Sequence, residues 1–162
     1  MKFDAVLFDC AGVLVDSEAI TNGVLRDMLA ERGWAMTLKQ CMDLHAATHG
    51  RIACASGADR FKVEMMLTQV GLAQYFAGRI FSGHEMPRSK PHPDVYLAAA
   101  AHLGVSPSRC AVVEDTLTGL AAGLAAGATV FAYVPHGHGQ ELLAAGASRV
   151  FADMAALVSV LQ

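Results

Sequence analysis

Short apolar runs alternate with helix-patterned stretches along nearly the whole chain, and that rhythm restricts the fold more than any single residue does. The runs fall at 4–9, 51–56, 79–82, 109–114, 129–134 and 149–151. Each is too short for a helix and apolar enough for a buried strand. Between the first two, Ile20, Val24, Leu25, Met28 and Leu29 recur at helical spacing from Ser17 to Arg32. Further helices are expected at 38–47, 61–70, 94–103, 116–126, 140–146 and 153–161. Gly33, Gly71, Gly104 and Gly127 stand where helices should stop. Strand and helix in alternation predict an α/β fold: a three-layer, doubly wound parallel sheet with right-handed crossovers.

Composition narrows the function classes. A chain of 162 residues, 54% hydrophobic and 17% charged, is long enough to bury a real core as one domain. A net charge of -3 offers no basic stripe, so nucleic acid is not an expected partner. No apolar run approaches the roughly 18 residues of a spanning helix, so no membrane partner is expected. Met1-Lys2-Phe3-Asp4 has no signal-peptide profile. Cys10, Cys41, Cys54 and Cys110 are widely spaced with no C-x-x-C pair, which fits free thiols in a reducing cytoplasm.

Polar residues gather at the strand ends. The first run ends in Asp9, the second in Ser56-Gly57 and the fourth in Glu114-Asp115, while Lys90-Pro91-His92-Pro93-Asp94 leads into a helix. In a parallel sheet these lie along one edge, where doubly wound folds bind ligands. Carboxylates converging there call for a hard divalent cation, Mg²⁺ above all. A lysine and a Ser-Gly turn suit the oxygens of a phosphoryl group. An aspartate beside both can attack phosphorus.

These four segments resemble the motifs of the haloacid dehalogenase superfamily, in its phosphatase and β-phosphoglucomutase-like branch. Asp9-x-x-Gly12-Val13-Leu14-Val15-Asp16-Ser17-Glu18 resembles the first motif, Ala55-Ser56-Gly57 the second, Lys90-Pro91-His92-Pro93-Asp94 the third and Val113-Glu114-Asp115-Thr116 the fourth. The resemblance implies Mg²⁺-dependent hydrolysis of a small phosphorylated substrate through an aspartyl phosphate. It implies Asp9 as nucleophile and metal ligand, with Ala11 (through its carbonyl), Glu114 and Asp115 as further ligands. Ser56, Gly57 and Lys90 would hold the phosphoryl group.

Two departures from the family pattern stand out. The second aspartate of the first motif, which protonates the leaving oxygen and then activates water, is Ala11 here. Metal and phosphate binding are expected to survive that change, and turnover to suffer. This leaves a second reading, a crippled metal- and phosphate-binding module. A third is a C–P hydrolase like the phosphonoacetaldehyde hydrolases, which carry alanine at this place and use a cap lysine; Lys39 is the only lysine between residues 3 and 61. The helical cap is also reduced: residues 17–50 suffice only for a remnant or crossover on a single core spanning 1–162. Trp34 and Met36, bared by a short cap, could favour a homo-oligomer. Capping the next helix for Asp16, Ser17 and Glu18, turn geometry for His92, and a solvated loop for His136 and His138 complete the expectations.

Overall fold

The computed structural model describes residues 2–15, 38–137 and 139–162. The helix expected at 17–32, together with Asp16, Trp34, Met36 and His138, lies outside them.

Six strands form one parallel sheet: β1 (Ala5–Phe8), β2 (Ile52–Ser56), β3 (Ile80–Ser82), β4 (Cys110–Glu114), β5 (Thr129–Tyr133) and β6 (Arg149–Phe151). Their spatial order is β3-β2-β1-β4-β5-β6, all pairs parallel. The chain therefore builds outward from β1 in one direction, then returns to pair β4 with β1 and builds outward in the other. The reversal makes β1 and β4 neighbours, with Phe8 opposite Val113, so their carboxyl ends flank the switch-point crevice.

Helices α1 (Leu38–Ala47), α2 (Arg60–Gln69), α3 (Ala73–Phe76), α4 (Asp94–His102), α5 (Leu117–Ala125), α6 (Gln140–Ala144) and α7 (Leu157–Val160) connect and cover the strands. Every expected strand is present within a residue or two of its limits. Three short elements had no expectation: α3 and the 3₁₀ turns at Gly83–Glu85 and Pro107–Arg109. The closing helix expected at 153–161 is instead a 3₁₀ turn, Met154–Ala156, followed by the single turn of α7. Asp153 caps that turn by accepting from the Ala155 N–H.

Alternation along each strand sends side chains to two cores. Val6, Phe8, Ile52, Cys54, Ala111, Val113 and Phe131 pack with Leu44, Val63, Met66 and Leu157 on one face. Ala5, Leu7, Ala53, Ala55, Val112 and Val130 pack with Tyr96, Ala99, Ala100, Leu120 and Ala122 on the other. The second core is rich in alanine because α4 and α5 lie close to the sheet. At Gly123 an added Cβ would come within 2.7 Å of Val130 Cγ2, so only glycine admits that approach. All four cysteines are buried and free, as their spacing predicts.

Candidate active site

β1 ends at Phe8, and Asp9 continues it: its N–H donates to the Val113 carbonyl at 3.0 Å, so β4 fixes its backbone. The chain then turns at once. Leu14 and Val15 N–H groups both donate to the Cys10 carbonyl, and Gly12 sits at φ 85°, a conformation costly for any residue with a Cβ. Val13, Leu14 and Val15 are buried, which anchors the loop while Asp9 keeps 8% of its surface exposed.

Glu114 ends β4, one strand over. Lys90, on the segment before α4, donates from Nζ to Asp9 Oδ1 and to Glu114 Oε1, each at 2.6 Å. Tyr96 on α4 donates its hydroxyl to the same Oε1 at 2.7 Å. Glu114 Oε2 accepts from the N–H groups of Asp115 (3.1 Å) and Thr116 (3.3 Å) and from Thr116 Oγ1 (3.1 Å). Both Glu114 oxygens are thus bonded, and the residue is 1% exposed. Thr116 in turn caps α5 by accepting from the Gly119 N–H.

Asp115 stands beside this cluster with different chemistry. Its Oδ1 is buried without a hydrogen-bond partner, and its carboxylate lies where a Cβ on Gly12 would be, 1.9 Å from Oδ2. The close approach presses a second carboxylate against the loop after Asp9. One ammonium cannot neutralise three carboxylates in a buried crevice. Burial first, then the Glu114 charge, raises Asp9 to about 6 despite its ion pair. Burial first, then the charges of Glu114 and Asp9, raises Asp115 to about 7. Burial opposes the Lys90 charge, but Asp9 and Glu114 together outweigh it, so Lys90 is raised and stays protonated.

Among the described residues, no group of three or more His, Cys, Asp or Glu side chains could hold a metal by itself. What the crevice does offer is the orphaned Asp115 Oδ1, two carboxylates raised first by burial and then by neighbouring charge, and the backbone of the loop between them. Such a donor set, hard oxygens with an excess of negative charge, fits a divalent cation completed by water.

β2 and β3 frame the other side. Ser56, 2% exposed, accepts from the Ala58 N–H at 3.2 Å, and a Cβ on Gly57 would meet nothing within 4 Å. A side chain at Gly57 would therefore point into open space. Ser82 at the end of β3 ties this turn down by donating to the Ala58 carbonyl. Gly83 brings the segment carrying Ser89 and Lys90 alongside, its missing Cβ lying 2.6 Å from Ser89 Oγ and 3.3 Å from Gly57 Cα.

The sequence placed Asp9, Ser56, Gly57, Lys90, Glu114 and Asp115 on one sheet edge, and they are found there. It missed Tyr96, whose only signal was an aromatic in an otherwise alanine-rich helix. His92 and His136 are exposed. Lys39 is exposed on α1, its ammonium on Asp43 at 2.6 Å. Among the described residues, no helix is long and apolar enough to cross a membrane.

Comparison with known proteins agrees with this fold. A hydrolase family model, haloacid dehalogenase-like hydrolase, matches residues 35–127. A crystal structure of a HAD family hydrolase from Deinococcus radiodurans R1, with bound phosphate and sodium, superposes with a TM-score of 0.79 at 31% identity, covering 99% of this chain and 95% of that one. Among curated proteins, fructose-1-phosphate phosphatase YqaB of Escherichia coli is 35% identical over 88 residues, 53% of this chain and 46% of its own length. The 6-phosphogluconate phosphatase of Escherichia coli is 22% identical, covering 88% and 87%. Other curated matches are partial, taking in 7% and 40% of two relatives from Arabidopsis thaliana and Haemophilus influenzae. With the family model spanning more than half the chain, the chain belongs to the haloacid dehalogenase-like hydrolases.

Proposed function

We propose that this chain is a Mg²⁺-dependent phosphate-monoester hydrolase acting through an aspartyl phosphate, slowed by Ala11. The observation that carries the reading is the pairing of Asp9 with Lys90 at the switch point, beside an Asp115 whose Oδ1 has no partner. Asp9 and Asp115, with the carbonyl of Ala11, would hold Mg²⁺, which supplies charge neutralisation to the crevice when bound. Glu114, expected as a further ligand, has both oxygens bonded to Lys90, Tyr96, Asp115 and Thr116 and is left out of the set. The relatives named as phosphatases of small phosphorylated sugars support a small phosphorylated substrate.

In this reading Lys90, the Ser56 hydroxyl and the Gly57 N–H bind the phosphoryl oxygens. Asp9 attacks phosphorus in line, the P–O bond to the ester oxygen breaks, and the alcohol oxygen leaves with the bonding pair. Water then cleaves the acyl phosphate. Alanine at position 11 offers neither a proton to the departing alcohol nor a base to that water, so good leaving groups are favoured and the second step is slow.

Ala11 also favours a second reading, a module that binds metal and phosphate with negligible turnover. The C–P hydrolase reading needs a cap lysine in the site besides Lys90, and Lys39 is engaged with Asp43 at the surface. The test is steady-state hydrolysis of para-nitrophenyl phosphate with Mg²⁺ and with EDTA. The hydrolase reading expects Mg²⁺-dependent release of nitrophenol that Asp9→Asn abolishes. Binding of orthophosphate with no release above the Asp9→Asn background would leave the module reading.

A further inference from the structure

We propose that Tyr96 is a positioning residue for Lys90, fixing where the ammonium stands for an incoming phosphoryl group. The inference rests on the phosphate-binding role proposed for Lys90. Tyr96 is fully buried on α4 and meets the lysine in two ways. Its ring lies under the ammonium, with Lys90 Nζ 4.8 Å from the ring centroid. Its hydroxyl donates to Glu114 Oε1 at 2.7 Å, the same oxygen that accepts from Lys90 at 2.6 Å.

A lysine side chain has four rotatable carbons and an ammonium with three donors. Here one donor reaches Asp9 and one reaches Glu114, which leaves the third for a ligand oxygen. The ring face holds the ammonium from one side by cation–π attraction, strengthened because Lys90 is only 7% exposed. The hydroxyl sets the balance between the two carboxylates. Glu114 Oε2 is occupied by Asp115 and Thr116, so Oε1 is the oxygen that faces Lys90, and Tyr96 takes part of its accepting capacity. Without that hydroxyl, Oε1 would turn its full charge on the ammonium and draw it away from Asp9 and the phosphoryl site.

Tyrosine in a core must satisfy its hydroxyl somewhere, so the test has to separate positioning from packing. Tyr96→Phe keeps the ring and the packing volume and removes the hydroxyl alone. Its effect is measured on the Kd of orthophosphate in the presence of Mg²⁺, in the native background and in Lys90→Met. Positioning predicts a loss of affinity on the order of fivefold in the native background, falling to a factor near one in Lys90→Met, where there is no ammonium to direct. Tyr96→Leu, lacking the ring as well, should lose more than Tyr96→Phe, again only when Lys90 is present. Equal factors in the two backgrounds, or native affinity in Tyr96→Phe, would overturn the inference while leaving the phosphate site standing. Absence of orthophosphate binding in the unmodified chain would remove the site and the inference together.

Discussion

A Cβ on Gly119 would sit 1.7 Å from Oε1 of Glu114 and 1.9 Å from its carboxyl carbon. The first turn of α5 thus leaves an empty place into which the buried carboxylate folds, and that place lets Glu114 reach Lys90 and Tyr96 on one side and its own helix start on the other.

Gly119→Ala should therefore dislodge Glu114 or push α5 off the sheet, costing about 1–3 kcal/mol of stability. It should also lower orthophosphate affinity, because a displaced Glu114 no longer holds the Lys90 ammonium in a fixed place beside Asp9. Gly123→Ala is the control. Its Cβ would meet Val130 and Val112, one helical turn beyond Gly119 and against sheet valines rather than the carboxylate, so it should cost stability and spare phosphate affinity. Chemical denaturation and phosphate titration on both variants read the two effects separately.

Charge in the crevice gives a pH dependence of definite sign. Asp9, raised to about 6, and Asp115, raised to about 7, hold more protons in the folded chain than in the unfolded one, where the ordinary value is 3.8. Stability from these groups is therefore lost as pH rises through that window. In EDTA, the urea midpoint should decline as pH rises from about 4 to about 7. Adding Mg²⁺ should recover more stability at the higher pH, by mass action on the folded state. Asp115→Asn should flatten both responses. A midpoint that rises across the same range in EDTA would contradict the uncompensated cluster.

Phosphate mimics should rank the two sides of the pocket. Lys90→Ala removes a charge-assisted contact and should weaken orthovanadate binding by about tenfold or more, while Ser56→Ala removes a neutral one and should cost only a few-fold. Ser56 also accepts from the Ala58 N–H, so its loss loosens the turn that presents Gly57 as well. Inhibition constants for vanadate, measured with Mg²⁺ present, give the order. A larger effect at Ser56 than at Lys90 would move the phosphoryl group toward β2.

Why the strand-end residues could be read from sequence is physical. In a parallel sheet every strand end points the same way, so a polar residue closing each apolar run must join the same edge. Asp9, Ser56 and Glu114 needed no more than that. Glu114's actual partners were hidden, because they depend on the close approach permitted by Gly119 and on a tyrosine two residues beyond Asp94. Neither has a one-dimensional period. The single turns at Ala73–Phe76 and Leu157–Val160 were missed or overextended for a related reason, since four residues carry too little periodicity to register.

Position 11 is where the largest change in rate is expected. Ala11 is half-buried in the loop that leaves β1, bridged to Val15, and held by the bonds from Leu14 and Val15 to the Cys10 carbonyl. That frame is made by backbone groups and by the buried side chains of residues 13–15, so it does not depend on what residue 11 carries. Ala11→Asp should leave the fold and the Asp9–Lys90 pair intact while adding a group able to protonate the leaving alcohol and to activate water. Turnover of an alkyl phosphate should rise by roughly 10²-fold or more, the usual worth of a positioned acid/base. The gain should be smaller for para-nitrophenyl phosphate, whose leaving group needs no proton. Asp9→Asn in the same chain should erase it, because the added acid has nothing to serve without the nucleophile. Steady-state kinetics on both substrates with the three proteins settle the point. Equal rates for the native chain and Ala11→Asp on both substrates, with Mg²⁺ shown to bind, would leave the chain as a phosphate-binding module rather than a slowed hydrolase.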